Sequence, residues 1–246
     1  QNLISHLSLE DDLEISTFTR SDSLDILEAK VQNADMVCHL AGVNRPKNED
    51  EFKKVNFELT KFLCEAAKKA QKSIPIIFTS STQATLDNEY GKSKLHAEEL
   101  LNVYSKETGS ATYIFRLTNV MGKWCQPNYN SVVATFCHNI ANDIPIKIND
   151  PEKELSLIYI DDLIIEITNI IRGENNETEI YEVKPVYKVT LKELAEKLYS
   201  FKESRVSLTV DEVGSGITRA LYATYLSYLK GEEFSYKIPE YNDERG

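Results

Sequence analysis

Residues 74–94 read IPIIFTSSTQATLDNEYGKSK, and this stretch decides the fold. It begins with a short apolar run, Ile74–Phe78, which is typical of a buried strand with Pro75 at its edge. Hydroxyl side chains follow at once in Thr79-Ser80-Ser81-Thr82, and a helical pattern then runs over 90–106. A buried strand, a polar turn and an amphipathic helix together indicate one unit of an α/β fold.

The same alternation of strand and helix extends in both directions from this stretch. Strands are predicted at 13–18, 36–40, 74–78, 112–117, 155–160 and 179–183. Helices are predicted at 1–8, 22–31, 49–72, 90–106, 131–141, 161–171, 190–201 and 220–229, with Ser131 as a cap and Thr190 with Glu193 as a capping box. This order predicts a doubly wound, mostly parallel sheet with helices on both faces, followed by a smaller mixed subdomain.

The composition is that of an ordinary globular protein, since the 246 residues are 41% hydrophobic and 27% charged. A formal net charge of −11 argues against nucleic acid or an anionic membrane as the main partner. The apolar runs are too short for a membrane span, and no signal peptide is visible at the start of the sequence. We therefore predict a cytoplasmic protein.

The four cysteines and four histidines are scattered along the chain, and no two cysteines form a C-x-x-C pair. This spacing fits neither a disulfide framework nor a zinc site. We predict reduced thiols and no metal site.

Tyr90 and Lys94 are four residues apart and so lie on one face of the predicted helix. A lysine ammonium beside a phenol favours the phenolate and lowers the pKa of the phenol, so the tyrosine can act as a general acid or base near neutral pH. The nearby Ser81 hydroxyl can hold a substrate carbonyl against the tyrosine. Such a Tyr–Lys pair arises about once by chance in this composition and alone indicates only an exposed helix start. Its position after a strand that ends in hydroxyl groups favours a catalytic site.

Further motifs accompany the Tyr90–Lys94 pair in a fixed order along the chain. They are His39-Leu40-Ala41-Gly42 after a strand, Asn56 in the next helix, Thr79-Ser80-Ser81, Tyr90-Gly91-Lys92-Ser93-Lys94, 116–122 (RLTNVMG) and Tyr159-Ile160-Asp161-Asp162. Together these motifs resemble the extended short-chain dehydrogenase/reductases, the NAD-dependent epimerase/dehydratase family, which act on sugar nucleotides. The resemblance covers nearly the whole chain and implies a Rossmann-like fold.

The resemblance also implies roles for individual residues. Ser81, Tyr90 and Lys94 are implied to be catalytic, with Lys94 also binding the nicotinamide ribose. The implied cofactor contacts are Leu40, Ala41, Gly42, Asn56 and Lys94. The implied substrate contacts are Ser81, Gln83, Asn119 and Lys123, with Asn119 approaching the diphosphate of the sugar nucleotide. Many sugar-nucleotide epimerases carry an arginine a few residues before the position of Tyr159, where this chain has only 154–157 (ELSL). Lys123, Arg205 and Arg219 stay open as alternatives for the diphosphate contact.

The preference between the two nicotinamide cofactors depends on the residue after the second strand of such folds. An acidic residue there binds the adenine ribose, whereas an arginine accommodates a 2′-phosphate. Here the predicted strand ends in Thr17-Phe18-Thr19-Arg20-Ser21, which contains no acid. Arg20 therefore predicts NADPH, because a guanidinium binds phosphate through two parallel hydrogen bonds. Arg45 in the next loop can assist, and a plain surface arginine is the alternative reading of position 20.

Three rarer strings narrow the resemblance: 40–46 (LAGVNRP), 122–132 (GKWCQPNYNSV) and 221–229 (LYATYLSYL). They resemble the reductase half of the bifunctional bacterial capsular-polysaccharide enzymes of UDP-N-acetyl-L-fucosamine synthesis, in which a C-terminal cupin domain epimerises a UDP-4-keto sugar. The resemblance implies reduction of the C4 ketone of a UDP-linked 4-keto-6-deoxy-N-acetylhexosamine with NADPH. Two alternatives are a sugar-nucleotide epimerase or dehydratase with tightly bound NAD, and a nucleotide-binding sensor without catalysis.

The glycine-rich loop that follows the first strand of such folds has no counterpart here, because the first 41 residues contain no glycine. Residues 1–8 are typical of the helix after that loop, so we expect the first strand and its loop to be missing. We therefore expect a gap in the sheet beside the predicted strands at 13–18 and 36–40, and weak cofactor binding by these residues alone. The predicted domains are an NADP-binding core over 1–122, a substrate-binding subdomain over 123–240 and the start of a linker to a cupin over 241–246.

A homodimer is a further implication of the resemblance. Related enzymes pair through the helix that carries the Tyr–Lys pair and the long helix before it, which are 90–106 and 49–72 in this chain. Both predicted helices have extended apolar faces. The alternative is that these faces only cover the sheet.

Overall fold

The computed structural model describes residues 1–46, 48, 50–173 and 179–235. The chain divides into two compact units, of which the first comprises Gln1–Val120 with Ile160–Val186 and the second Met121–Tyr159 with Tyr187–Gly246. The predicted linker over 241–246 lies outside the described residues. None of the described helices is both long and apolar enough to cross a membrane.

Helices and strands alternate along most of the chain. The helices are α1 (Asn2–Leu7), α2 (Leu24–Asn33), α3 (Leu59–Lys69), α4 (Glu89–Thr108), α5 (Val132–Ala141), α6 (Ile160–Ile171), α7 (Leu191–Ser207) and α8 (Gly216–Leu226). The strands are β1 (Val37–His39), β2 (Ile76–Ser81), β3 (Thr112–Leu117), β4 (Asn119–Met121), β5 (Glu154–Tyr159), β6 (Glu179–Tyr181) and β7 (Tyr187–Thr190). A π-helical segment, Phe52–Glu58, leads directly into α3, and 3-10 turns cover Thr82–Thr85 and Gly231–Phe234.

A parallel sheet with the strand order β1-β2-β3-β6 forms the centre of the first unit. β2 and β3 pair from Ile76 opposite Thr112 to Ser81 opposite Leu117. Almost every side chain of these two strands is buried, as a strand covered on both faces requires. The carboxyl ends of β1, β2 and β3 therefore lie at one edge, where parallel sheets bind their ligands.

The hydrophobic core of the first unit lies between this sheet and the helices α2, α3 and α4. Leu27, Leu63 and Leu101, one from each helix, belong to the same buried cluster as Ile76 of β2. The Tyr104 hydroxyl of α4 donates a hydrogen bond of 2.8 Å to the Ile74 carbonyl, which fixes α4 along β2. Burial of this many apolar side chains contributes most of the stability of such a unit.

The second unit combines a small sheet with three helices. Its sheet contains β5 and β7, which pair antiparallel. The helices α5, α7 and α8 contact one another, with Phe201 packed edge-on against Tyr222. Ser131 caps α5, and Thr190 forms a capping box with Glu193 at the start of α7, so both predicted caps are confirmed.

The predicted strand at 13–18 is wrong, since residues 13–19 have no regular secondary structure. A strand exists through hydrogen bonds to a neighbour, and no described segment pairs with this stretch. Phe18 nevertheless packs against the core cluster. The gap expected between the predicted strands at 13–18 and 36–40 is therefore not formed as predicted. Among the described residues, β1 is an edge strand of the sheet and pairs with β2 alone.

Other boundaries differ from the prediction for reasons of pairing. β2 continues through Thr79–Ser81, which the sequence placed after the strand, because β3 pairs with these residues to the end. The helix predicted at 49–72 begins with the π-helical segment and ends at Lys69, and Glu49 itself lies outside the described residues. The short strands β4 and β7 were not predicted, since three or four residues give too little periodicity.

Candidate active site

The carboxyl end of β2 meets the first turn of α4. Ser81 ends the strand, and its hydroxyl accepts a hydrogen bond of 3.2 Å from the backbone N–H of Gln83. The same side chain lies close enough to the Tyr90 phenol to act on its pKa, which it lowers. Asn88 caps α4 by accepting the N–H of Gly91 at 2.8 Å. The turn and the cap therefore bring Ser81 and Tyr90 together.

Gly91 allows this close approach of helix and turn. A Cβ atom at this position would lie 2.1 Å from the Gln83 carbonyl oxygen and 2.9 Å from the Leu86 carbonyl oxygen. Both neighbours are backbone atoms, which cannot rotate away as a side chain can. The residue after Tyr90 is therefore required to be glycine for the turn over Thr82–Thr85 to lie against α4.

Lys94 lies one helical turn after Tyr90 and is only 5% exposed. Its ammonium donates a hydrogen bond of 2.9 Å to the Thr79 carbonyl oxygen and lies 4.8 Å from the centre of the Phe78 ring. Burial lowers the pKa of Lys94 to about 8, and the Glu98 carboxylate opposes this shift. Lys94 is thus a buried cation that loses its proton within reach of physiological pH.

The expectation that Lys94 lowers the pKa of Tyr90 is wrong in this structure. Burial of the phenol raises the pKa of Tyr90, and the hydrogen bond from Ser81 opposes that rise. The Lys94 ammonium makes its hydrogen bond to the Thr79 carbonyl instead. At neutral pH Tyr90 is therefore a neutral phenol, which is the form that can donate a proton.

The loop after β1 lies beside Lys94. Leu40, Ala41 and Gly42 are all exposed. A Cβ atom on Gly42 would lie 2.9 Å from the Lys94 Nζ atom, so glycine leaves this space open. Arg45, farther along the loop, is also exposed. One of the predicted cofactor contacts, Gly42, thus lies next to the buried ammonium, and Leu40 and Ala41 precede it in the same loop.

Asn56 is 1% exposed and holds this loop against α4. Its amide oxygen accepts the Val43 N–H at 2.8 Å, and its amide nitrogen donates to the Val43 carbonyl at 3.0 Å and to the Ser93 hydroxyl at 2.9 Å. Ser93 in turn donates to the Tyr90 carbonyl at 2.7 Å. Asn56 lies within the π-helical segment Phe52–Glu58, a kind of distortion frequent at functional sites. The Asn56 side chain, which the resemblance assigns to the cofactor, therefore links the loop to the first turn of α4.

A buried histidine, His39, extends this set of hydrogen bonds, a role that its place in the motif after β1 did not indicate. The Nε2 atom of His39 lies 2.8 Å from the Thr60 hydroxyl, which itself donates to the Asn56 carbonyl at 2.9 Å. Because the hydroxyl proton is used there, His39 donates from Nε2. Burial lowers the pKa of His39 to about 3, with a further contribution from Lys94, so the ring stays neutral. Only tertiary contacts join these residues, which is why spacing gave no signal.

The side chains of the remaining predicted residues lie at the surface or in the second unit. Arg20, Gln83 and Asn119 are exposed residues of the first unit. Three basic residues belong to the second unit: the Lys123 ammonium lies 5.6 Å from the Trp124 ring centre, the Arg219 guanidinium lies 5.4 Å from the Tyr159 ring centre, and Arg205 donates to the Phe234 carbonyl at 3.3 Å. They remain the three alternatives for the diphosphate.

Metal binding has no candidate in the part of the chain that the structure describes, where no three His, Cys, Asp or Glu side chains are grouped to hold an ion. The four cysteines, at positions 38, 64, 125 and 137, are free thiols.

Comparison with known proteins identifies the family of the chain. The sequence model of the NAD dependent epimerase/dehydratase family matches residues 3–183, which is well over half of the chain. The chain belongs to this family. The predicted α/β, Rossmann-like class of fold is confirmed with it.

Among curated proteins of this family, the UDP-2-acetamido-2,6-beta-L-arabino-hexul-4-ose reductase of Pseudomonas aeruginosa is 50% identical over all 246 residues. A crystal structure of the capsular polysaccharide assembling protein CapF from Staphylococcus aureus has a TM-score of 0.88 and 41% identity and covers 99% of this chain. The chain spans 66% of the length of each of these relatives. The structure of the UDP-glucuronic acid 4-epimerase of Bacillus cereus in complex with NAD has a TM-score of 0.71. The match covers 92% of this chain and 83% of the epimerase chain. At 19% identity it shows the fold alone.

Proposed function

We propose that the chain reduces the C4 ketone of a UDP-2-acetamido-2,6-dideoxy-4-hexulose with NADPH. The observation that carries this proposal is that the Ser81 and Tyr90 side chains lie near each other at the carboxyl end of β2, with the buried Lys94 one turn away. The name of the reductase from Pseudomonas aeruginosa, at 50% identity over the whole chain, supports the same reaction. The name of CapF supports a place in capsule or surface polysaccharide synthesis. The cytoplasmic location that the sequence predicts stays a prediction.

The residues around Lys94 fit a nicotinamide cofactor. Gly42 leaves open the space beside the Lys94 ammonium that a Cβ atom would fill. Leu40, Ala41 and Gly42 would line the bound cofactor, and Lys94 would donate to its ribose. The bound cofactor supplies a hydride to a carbonyl carbon. Asn56 contributes indirectly, by holding Val43 and thereby the loop.

The chemistry left to the protein is to hold the ketone and to supply a proton. The Ser81 hydroxyl donates a hydrogen bond to the ketone oxygen and so holds it beside Tyr90. Tyr90 gives its phenol proton to that oxygen as the ketone becomes an alcohol, and solvent later returns a proton to the phenolate. Because burial raises the pKa of Tyr90, the phenol holds this proton until the substrate oxygen becomes basic. Gln83, Asn119 and Lys123 are the proposed further contacts of the UDP-sugar.

The proposed reaction has a direct test. The purified protein, in its full natural length, is incubated with NADPH and the UDP-linked 4-keto sugar while absorbance at the cofactor's band is recorded. We expect loss of NADPH in a one-to-one ratio with formation of the 4-hydroxy sugar. Turnover without added cofactor would instead identify an epimerase or dehydratase that recycles a bound NAD. Binding of the sugar nucleotide without turnover would identify a sensor.

Replacing Arg20 with alanine tests the preference for NADPH. Arg20 is exposed, and its guanidinium is the proposed partner of the 2′-phosphate. A hydrogen bond between charged groups contributes about 1.5–3 kcal/mol, so we expect the Kd for NADPH to rise roughly 10- to 100-fold. NADH lacks the 2′-phosphate and serves as the matched control, since its affinity should not change. Equal effects on both cofactors, measured by fluorescence titration, would contradict this role.

We also infer a homodimer formed through the π-helical segment, α3 and α4. A hollow of about 300 Å³ on this face is lined by Phe57 from the π-helical segment and by His96, Glu99, Leu100 and Val103 from α4. Phe57 and His96 contact each other edge to face, with ring centres 6.2 Å apart. Val103 is 48% exposed although it is apolar. An exposed apolar hollow on the helices through which related enzymes pair supports this interface.

Replacing Val103 with aspartate is expected to convert the dimer into a monomer. A carboxylate at this position would be buried without a partner in the interface, which costs several kcal/mol. Size-exclusion chromatography with light scattering should therefore show half the wild-type mass. The matched control is Val206→Asp, because Val206 is 88% exposed on α7. A Val103→Asp protein with the same mass as the wild type would exclude this interface.

A further inference from the structure

A row of charged and polar side chains continues along α4 beyond the Tyr90–Lys94 pair. Glu98 follows Lys94 by four residues, so that Tyr90, Lys94 and Glu98 occupy successive turns of one helix face. Glu98 is only 2% exposed. The role proposed above for Tyr90 and Lys94 leaves Glu98 without a function.

The Glu98 carboxylate is held from two strands of the sheet. The Arg116 guanidinium of β3 donates to it twice, from Nη2 to Oε2 at 2.6 Å and from Nε to Oε1 at 3.0 Å. The Ser80 hydroxyl of β2 donates to Oε1 at 2.5 Å. Both carboxylate oxygens therefore have charged or polar donors, and the side chain is fixed in one position.

This buried arrangement is not explained by stability alone. The Glu98 side chain is 3% exposed, whereas the Arg116 side chain keeps 24% of its surface exposed. Removing the carboxylate from water costs several kcal/mol, and its attraction to the guanidinium only partly offsets this cost. A pair of apolar side chains would fill the same space at least as favourably. The groups beside the Glu98 carboxylate therefore indicate whether it has a role beyond packing.

Lys94 is the neighbour of Glu98 on which such a charge acts. The described titratable groups that interact electrostatically with Lys94 are His39 of β1 and Glu98 of its own helix. Tyr90 precedes Lys94 by one helical turn, and Arg116 of β3 is bonded to Glu98. His39 is neutral, and Tyr90 is a neutral phenol at neutral pH. Thr79 contributes only its backbone carbonyl, whose oxygen accepts a hydrogen bond from the Lys94 ammonium. Glu98 is thus the negative charge among these groups.

We propose that Glu98 is a positioning residue that keeps the buried Lys94 ammonium charged for the cofactor, while Arg116 and Ser80 hold the Glu98 carboxylate in place. This proposal rests on the proposed function only in naming the cofactor that the ammonium serves. A charged Lys94 donates three hydrogen bonds and attracts an anionic ligand, whereas the neutral amine does so weakly. Loss of the Glu98 charge would therefore weaken cofactor binding without removing any contact to the cofactor.

The Glu98→Gln variant tests the proposal through the ionisation of Lys94 itself. Nuclear magnetic resonance of lysine labelled with ¹³C at Cε and ¹⁵N at Nζ follows the Lys94 signal against pH in the protein without cofactor or substrate, and Lys94→Arg identifies that signal. Burial already lowers the pKa of Lys94 to about 8. Removal of an opposite charge on the next turn should lower it by about one further unit or more. The affinity for NADPH should then fall at a correspondingly lower pH as the pH is raised, because the ammonium is charged only below its pKa.

Two further variants separate this electrostatic role from a structural one. Arg116→Met breaks the same ion pair but leaves the Glu98 charge, so the pKa of Lys94 should stay unchanged or rise. Glu99→Gln makes the same substitution at the next, exposed position of α4 and should have no effect. If Glu98→Gln does not fold, the double variant Glu98→Gln with Arg116→Met leaves no unpaired ion and takes its place under the same expectation.

The outcomes distinguish the two proposals. A fall in the pKa of Lys94 in the Glu98 variant alone supports the positioning role. An unchanged pKa, or an equal fall in the Glu98 and Arg116 variants, overturns it. The titration of Lys94 needs no turnover. A wild-type protein without reductase activity would therefore refute the proposed reaction, while the pKa of Lys94 in the variants would still test the role of Glu98.

Discussion

The Tyr90→Phe variant is expected to lose reductase activity while its fold and its affinity for NADPH stay intact. The substitution removes one hydroxyl, the group that gives its proton to the ketone oxygen in the proposed reaction. General acid catalysis of this kind contributes about 10²- to 10⁴-fold to the rate, and we expect a loss of that size in kcat. The phenyl ring of phenylalanine keeps the contact with Phe52, whose ring centre lies 6.0 Å from that of Tyr90.

The same substitution elsewhere on α4 provides the control. The Tyr104 hydroxyl donates to the Ile74 carbonyl at 2.8 Å, where it fixes α4 along β2. Tyr104→Phe should therefore lower the free energy of unfolding by about 1–3 kcal/mol, because a buried carbonyl loses its partner, while the rate stays close to that of the wild type. Tyr90→Phe should show the reverse, with a rate loss and nearly unchanged stability.

Two measurements decide between these outcomes. Thermal unfolding of both variants reports the effect on the fold, and absorbance of NADPH with saturating keto sugar reports kcat. Turnover retained by Tyr90→Phe would exclude Tyr90 as the proton donor. A loss of kcat accompanied by an equal loss of stability would show that the hydroxyl serves the fold rather than the reaction.

Local signals in the sequence account for much of the fold. The strand predicted at 112–117 coincides with β3, and the caps at Ser131 and Thr190 are where the side-chain types indicate them. These features depend on a few neighbouring residues, so a single sequence carries them. The predicted strand at 13–18 failed because a strand also requires a neighbouring chain, which periodicity does not reveal.

The candidate site divides in the same way. The placement of Ser81, Tyr90 and Lys94 near one edge of the sheet could be predicted from their spacing, because a strand end there is followed by a helix start. The hydrogen bonds of Asn56 could not be predicted from spacing, since they join it to Val43 and Ser93, which are 13 and 37 positions away in the chain. The direction of the shift in the pKa of Tyr90 was predicted wrongly, because burial, which sequence does not report, outweighs the hydrogen bond from Ser81.

Replacing Gly91 with alanine is expected to damage both the fold and the site. On an exposed helix this change stabilises by about 1 kcal/mol, because alanine favours the helical conformation. Here the added Cβ atom would lie 2.1 Å from the Gln83 carbonyl oxygen, a distance that forces backbone to move. Overpacking of this kind costs about 1–3 kcal/mol and sometimes more, so we expect a net loss of stability and a fall in Tm of roughly 5 °C.

The displacement should reach the reaction because Gly91 adjoins Tyr90. When the Thr82–Thr85 turn and the first turn of α4 move apart, the distance between Ser81 and Tyr90 increases, and a misplacement of about 1 Å can cost 10²-fold in rate. Gly214→Ala is the matched control, since a Cβ atom there would meet nothing within 4 Å. Calorimetry and the NADPH assay should show a loss of both stability and kcat for Gly91→Ala and near wild-type values for Gly214→Ala. Wild-type kcat in a Gly91→Ala protein would mean that the close contact between turn and helix is not what holds Tyr90 beside Ser81.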